Sequence, residues 1–228
     1  MIKKSIAEYN ILKLKNGELK NERDALICEA ALIIFVNGKK IANLSCSSDS
    51  LKELAVGFLQ SKGIINRKED IKDIKVDKNR KEVYITKENM CSSLYNNTNC
   101  SKKIESCTNV DIKKVLALGK KINNMSKLFM LTGGAHSCAL CSWDKVILFK
   151  EDIGRRNAIY KVLGKALLKG VNLENKIIFT TGRVSSDIVE SIARMRIPIL
   201  ISRSAPTNKA VDIARKINLV LVGFVRGD

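Results

Sequence analysis

The amino-acid sequence predicts an α/β protein with a smaller β-hairpin and helix region at its N-terminal end. Two patterns carry this. Between residues 146 and 224 the apolar runs VILFK, KIIFT, PILIS and LVLVGF alternate with segments of helical periodicity, an order that implies parallel strands joined by right-handed crossovers. Residues 30–46 hold an Asn37-Gly38 pair between apolar stretches. That pair is a strong hairpin signal, because both central positions of a type I′ turn need positive φ. Hydrophobic residues make up 45% of the 228, enough for a core and too many for wholesale disorder.

The N-terminus, MIKKSIAEYNILKLKNGE, has early lysines but no continuous apolar block and no small-residue cleavage site. It reads as mature cytoplasmic sequence. After the 30–46 hairpin a helix is expected, capped by Asp49 or Ser50, with Leu51, Leu54, Ala55, Phe58 and Leu59 on one stripe and Gly63 as its stop. Residues 71–76 and 82–86 suggest a second hairpin around Asp77-Lys78-Asn79. Residues 87–109 are polar, rich in Asn and Ser, and carry Cys91, Cys100 and Cys107, which predicts a loop. A helix from Asp111 to Asn124 follows, with Ile112, Val115, Leu116 and Ile122 facing inward. Residues 128–131 (LFML) read as a strand leading into TGGAHSCALC, with a turn at Trp143-Asp144 before VILFK. Helices are expected at 156–168, ended by Gly170, at 187–195 and at 208–217. The chain divides into residues 1–110, with the cysteine loop 87–109, and an α/β region 111–228, the two forming one continuous unit.

Lysine and arginine number 41 against 23 acidic residues, a formal charge of +18. The excess favours an anionic partner. The lysines are scattered without a basic run or aromatic interleaving, and no RNA-binding signature is present, which counts against nucleic acid. No stretch reaches the roughly 18 apolar residues of a membrane span. Seven cysteines without a secretion signal argue against a disulfide framework. Cys28 and Cys46 read as small buried hydrophobes.

The segments that follow the parallel strands carry the chemistry. Thr181-Gly182-Arg183-Val184-Ser185-Ser186, Arg203-Ser204-Ala205-Pro206-Thr207 and Val225-Arg226-Gly227-Asp228 each supply one arginine at the carboxyl ends of strands, where ligands of open α/β sheets bind. Hydroxyls at Ser185, Ser186, Ser204 and Thr207 begin the next helices or loops, and helix N-termini with arginine forks suit phosphate. Ser186 and Thr207 also read as ordinary N-caps. The inferred ligand is a phosphorylated or nucleotide-like anion. Gly133 and Gly134 allow close backbone approach to a ligand beside His136, the single histidine. His136, Cys138 and Cys141 also raise a zinc reading, but in an alternating strand the two cysteines would point to opposite faces. In Glu151-Asp152-Ile153-Gly154-Arg155-Arg156-Asn157 the carboxylates can neutralise or orient the adjacent arginines, or the segment is a helix start with early acidic residues and a glycine turn.

Several of these segments, VNGKK, LKELAVGFLQSKGII, TGGAHSCAL, EDIGRRNAIYKVLGKAL, TGRVSSDIVESIARMRIPILISRSAPTNKAVDIA and NLVLVGFVRGD, resemble the FdhD/NarQ family of formate dehydrogenase accessory sulfurtransferases. The resemblance implies a cytidine deaminase-like α/β sandwich around a mixed sheet, and a homodimer. It implies a cytoplasmic protein that takes persulfide sulfur from a cysteine desulfurase and passes it to the molybdenum cofactor, in its bis(molybdopterin guanine dinucleotide) form, for the formate dehydrogenase catalytic subunit. That ligand is a bound substrate, and no resident metal is expected. The family's cofactor contact matches Phe224, Val225, Arg226, Gly227 and Asp228; Arg183, Ser185, Arg203, Ser204, Gly133, Gly134 and His136 complete the expected site. The carrier is Cys100 or Cys91. The string around Cys100 resembles the family's cysteine loop, the spacing to Thr132 favours Cys91, and Cys107 is a third candidate. The family's loop glycines are missing here, and Arg156 stands where the family carries histidine. The alternative is a molybdenum-cofactor-binding chaperone without sulfur transfer.

Overall fold

The computed structural model describes residues 5–88, 103–104 and 110–226. The chain opens with a hairpin absent from the sequence reading, β1 (Ile6–Lys15) and β2 (Glu18–Ile27), a separate two-stranded sheet. Its turn, Asn16-Gly17, has φ of 54° and 84°, the same chemistry as Asn37-Gly38.

The two predicted hairpins form β3 (Glu29–Val36) with β4 (Lys39–Ser47), and β5 (Ile71–Asp77) with β6 (Glu82–Lys87). A parallel pairing of β3 with β6 joins them into one sheet of order β4-β3-β6-β5. Helix α1 (Leu51–Ser61) covers it, burying Leu54, Ala55, Val56 and Leu59. Neither Asp49 nor Ser50 caps α1 through its side chain. Ser50 is the N-cap residue but donates to Asp49, and the Asp49 carboxylate is held by Lys161 instead.

The second sheet has order β11-β10-β9-β7-β8. Its strands are β7 (His136–Cys141), β8 (Val146–Asp152), β9 (Ile177–Thr180), β10 (Ile199–Ser202) and β11 (Val220–Val222). The last three are parallel, whereas β7 runs antiparallel to both β8 and β9. The sheet is therefore mixed. Helices α4 (Arg155–Leu168), α5 (Ser186–Arg194) and α6 (Asn208–Lys216) pack on one face, over Cys138, Leu140, Ile178 and Leu200. Helix α2 (Ile112–Met125) packs on the other, over Ala139, Cys141, Phe179 and Ile201. Asp111 caps α2 by accepting from Lys113 and Lys114 amides. The inward stripe of α2 is Val115, Leu118 and Ile122. Ile112, expected to face inward, lies at the surface, 72% exposed, as the first residue of α2, ahead of the stripe that begins at Val115.

Residues 128–131 are not a strand. They lie in a short helix, α3 (Lys127–Thr132), ended by Gly133 at φ 65°. Four consecutive apolar residues fit a strand or a helix turn equally well. Here only Leu128 is buried, while Phe129, Met130 and Leu131 face outward.

Helices α1 and α4 join the two cores. They cross at Gly57 and Gly164, where a Cβ on Gly57 would lie 1.8 Å from the Tyr160 carbonyl oxygen and one on Gly164 2.0 Å from that of Glu53. Tyr160 of α4 belongs to the core of the first sheet. Beside the crossing, Lys161 is fully buried. Its Nζ lies 2.7 Å from Asp152 Oδ2 and 3.0 Å from Asp49 Oδ1, and donates to Ser47 Oγ at 2.6 Å. Ile104 is buried at the edge of the second sheet where β11 begins, with its amide donating to the Ile217 carbonyl at 2.8 Å.

Candidate functional site

The directions of the strands bring one set of residues to one edge. Strands β9, β10 and β11 end there. Strand β7 starts there with His136, and β8 ends there, since His136 pairs with Asp152. Helix α3 and the Gly133-Gly134 turn lead into β7. Between them lies a cleft of about 830 Å³ lined by Phe129, Gly133, Gly134, His136, Arg203 and Arg226, among others. Its size falls within the roughly 300–1,000 Å³ of small-molecule sites.

Of the residues expected from the sequence, Gly133, Gly134, His136, Arg203, Ser204 and Arg226 line this cleft. Arg183 is exposed beside it, and its charge acts on His136. Ser185 is the N-cap residue of α5, but its hydroxyl donates to Asp187 at 2.5 Å. Ser186 is the first residue of α5 and not its cap, whereas Thr207 caps α6 by accepting from the Ala210 amide. Val225 is buried in the core below the sheet, 8% exposed. Phe224 is 61% exposed with φ of 60°. A bulky side chain in left-handed conformation is costly, and here it sets the ring 5.8 Å from the Arg226 guanidinium. Gly227, Asp228, Cys91, Cys100 and Cys107 lie outside the described residues. The sequence reading missed the cleft wall made by α3 and the end of α2, with Asn123, Ser126, Phe129 and Met130. Reading LFML as a strand hid it.

Backbone hydrogen bonds tie the loops of this edge to one another. Arg203 N donates to Thr180 O, Val184 N to Ala205 O, Phe224 N to Ser204 O and Val225 N to Ser202 O. Thr181 N donates to Ser137 O, and Ser137 N returns a bond to Thr181 Oγ1. Gly223 touches the next loop so closely that a Cβ would lie 2.7 Å from Pro206 Cδ.

Of the two readings of the EDIGRRN motif the structure bears out the helix start with a glycine turn, at Gly154 before α4; the carboxylates do not pair with their neighbouring arginines. Glu151 accepts from the amides of Leu128 and Phe129 at the start of α3, and burial raises its pKa. Asp152 pairs with Lys161 and accepts from Gly154 N and Asn157 Nδ2. Arg156 instead pairs with Asp187.

Burial lowers the pKa of His136 below 6.5, and the positive charges of Arg155 and Arg183 lower it further. The imidazole is therefore neutral at pH 7. An unfolded histidine takes up its proton at higher pH than this one, so His136 contributes stability that is present above about pH 6.5 and is lost as the pH falls below it. Its imidazole resonance should titrate below 6.5 by NMR. Binding of an anion between the arginines should raise that midpoint. A midpoint at or above 6.5 in the free protein would contradict the cationic, half-buried setting.

Among the described cysteines, Cys138 and Cys141 are fully buried on opposite faces of β7, in different cores. They do not converge with His136, and the zinc reading has no geometric support among the described residues. Burial pushes the thiols of Cys46 and Cys141 up to about 12 and raises that of Cys138 as well. These groups stay protonated and unreactive.

A family model described as the FdhD/NarQ family matches residues 27–228. A sulfur carrier protein FdhD of Bacillus licheniformis is 35% identical, over 95% of this chain and 90% of its own. One of Bacillus subtilis is 31% identical, over 98% and 93%. A crystal structure from Desulfotalea psychrophila, of a protein described as a candidate formate dehydrogenase accessory protein, superimposes with a TM-score of 0.84 at 25% identity, covering 98% of this chain and 94% of that one.

Proposed function

The chain belongs to the FdhD/NarQ family, and from that membership we propose that it is a cytoplasmic sulfurtransferase that carries persulfide sulfur from a cysteine desulfurase to a molybdenum cofactor destined for formate dehydrogenase. The cargo is the bis(molybdopterin guanine dinucleotide) form, which the protein binds as a substrate. In the loading step a carrier thiolate attacks the outer sulfur of the desulfurase persulfide. A new S–S bond forms on the carrier, and the desulfurase cysteine leaves as a thiolate. Cys100 and Cys91 are the proposed carriers, with Cys107 as the third. The working unit is a homodimer, and the five-stranded sheet with helices on both faces is its cytidine deaminase-like part.

The observation that carries this reading is the cleft at the strand ends, with Arg203, Arg226 and neutral His136 on its walls and a glycine pair at its rim. Guanidinium forks suit pyrophosphate oxygens. The exposed Phe224 ring beside Arg226 offers a stacking surface for a purine base. The low pKa of His136 keeps it from adding charge, and leaves one ring nitrogen as an acceptor.

Two measurements test the proposal. Arg226→Ala should weaken GDP binding by about 10- to 150-fold, the loss of a charge-assisted hydrogen bond of about 1.5–3 kcal/mol. Calorimetry checks it, and unchanged affinity would contradict the cleft as the nucleotide site. For sulfur, the protein is incubated with a cysteine desulfurase and cysteine, then analysed by intact mass and peptide mapping. Added sulfur on Cys91, Cys100 or Cys107 supports the carrier. With a desulfurase active on another acceptor, the absence of added sulfur while GDP still binds would replace it with the cofactor-binding chaperone.

A further inference from the structure

Every strand whose carboxyl end reaches the cleft edge is followed by an arginine. Strand β9 leads to Arg183, β10 to Arg203 and β11 to Arg226. Strand β8 also ends at this edge, because β7 runs antiparallel to both β8 and β9. The residue that follows it, after the Asp152–Gly154 turn, is Arg155.

Arg155 sits in an electrostatically awkward position. It is the first residue of α4, whose first turn holds no acidic residue. The N-terminus of a helix carries partial positive charge, so a cation there is unfavourable. Arg156 next to it is compensated by Asp187. Arg155 has no carboxylate partner among the described residues, and its Nε is buried without a hydrogen-bond partner. Unsatisfied buried donors are rare and usually have a cause.

The stem of Arg155 is also held in place. A Cβ on Gly182, in the loop after β9, would lie 2.5 Å from Arg155 Cβ and 3.2 Å from its Cδ. The glycine leaves room for the arginine to cross that loop. Its charge reaches His136, the residue that opens the cleft from β7. The turn that presents it is fixed by Asp152, which accepts from Gly154 N at 2.9 Å and is paired with buried Lys161.

We propose that Arg155 is a direct ligand for a phosphate oxygen of the molecule held in the cleft, the fourth guanidinium of a set supplied by β8, β9, β10 and β11. The assignment rests on the reading of the cleft as a site for a phosphorylated ligand. An anion at this place would compensate the guanidinium charge and offset the cation at the start of α4.

The test is calorimetric titration of the full-length protein with GDP and with guanosine. Arg155→Met keeps the stem against Gly182 and removes the guanidinium. It should weaken GDP binding at least tenfold and leave guanosine binding unchanged. Arg80→Met, on an exposed turn of the other sheet, removes the same charge elsewhere and should leave GDP binding within twofold. Should Arg155→Met fold poorly, Gly182→Ala serves as the second variant, because its Cβ displaces the Arg155 stem without altering charge; it should also weaken GDP binding. GDP affinity of Arg155→Met within twofold of the parent would overturn the role of Arg155 while the cleft reading stands. A parent protein that does not bind GDP would overturn the cleft reading and this assignment with it. Equal losses for GDP and guanosine would mean a general disturbance of the cleft, and would also overturn it.

Discussion

Replacing Lys161 with methionine is expected to destabilise the protein by about 3–5 kcal/mol, the cost of leaving a buried charge without its partner. Lys161 and Asp152 are both fully buried, with Nζ 2.7 Å from the carboxylate. Methionine fills similar space, so the loss is electrostatic. Asp152 keeps its bonds from Ser47, Gly154 and Asn157 but loses its countercharge. Since whole domains are stable by about 5–15 kcal/mol, the variant should be marginal. Adding Asp152→Asn should restore much of the loss, since an amide can still accept from Gly154. Denaturant unfolding of both single variants and the double variant gives the answer. A cost below about 1 kcal/mol for the lysine change would mean that the pair contributes little. Asp49 should respond too. Burial raises its pKa, but the Lys161 charge and hydrogen bonds outweigh this and hold it below 3.8. It therefore contributes stability above pH 3.8 that is lost as the pH falls through its folded pKa. Without Lys161 that acid loss should begin at higher pH.

Gly57→Ala is expected to cost at least about 2 kcal/mol, although alanine favours a helix by about 1 kcal/mol over glycine. The new methyl would fall 1.8 Å from a backbone oxygen of α4 and 2.9 Å from Gly164 N. Backbone cannot rotate aside as a side chain can, so the helices must separate along the whole crossing. Gly119→Ala is the matched opposite. Its nearest neighbour would be Val225 Cγ1 at 3.5 Å, an ordinary contact, so the same change in α2 should stabilise by up to about 1 kcal/mol. Thermal melts of the two variants should shift in opposite directions. A neutral Gly57→Ala would show that the two helices are not in backbone contact.

Much of the fold was legible because local chemistry and tertiary structure agree. Asn37-Gly38, the α1 stripe ending at Gly63, and the alternation after residue 146 all point to what forms. Asn16-Gly17 carries the same hairpin signal, but its flanking strands show no clear buried face: they form a separate two-stranded sheet in which Leu12, Leu14 and Leu19 stay exposed. Residues 128–131 failed for lack of period, although Gly133 stood ready as a helix stop. The parallel pairing of β3 with β6 is a non-local choice that no single segment encodes.

The site divides the same way. Arg183, Arg203 and Arg226 could be read because each follows an obvious parallel strand. Arg155 follows the run VILFK in the same way, but it stands beside Glu151, Asp152 and a second arginine, and local sequence makes those carboxylates look like its partners. Lys161 was hidden too, since a lysine in a helix normally reads as a solvated position. Only the convergence of Asp49, Asp152 and Ser47 on it, from distant parts of the chain, explains its burial.

The sharing of α4 between the two cores also orders events during synthesis. The sheet β4-β3-β6-β5 and α1 leave the ribosome well before α4, which supplies Tyr160 and the partner for Gly57. At roughly 5–20 residues per second, the chain between Glu88 and Arg155 takes several seconds to appear. During that interval α1 has one side on its own sheet and the other in water. A chain truncated before Arg155 would keep that side uncovered and should aggregate instead of settling into a stable half-molecule.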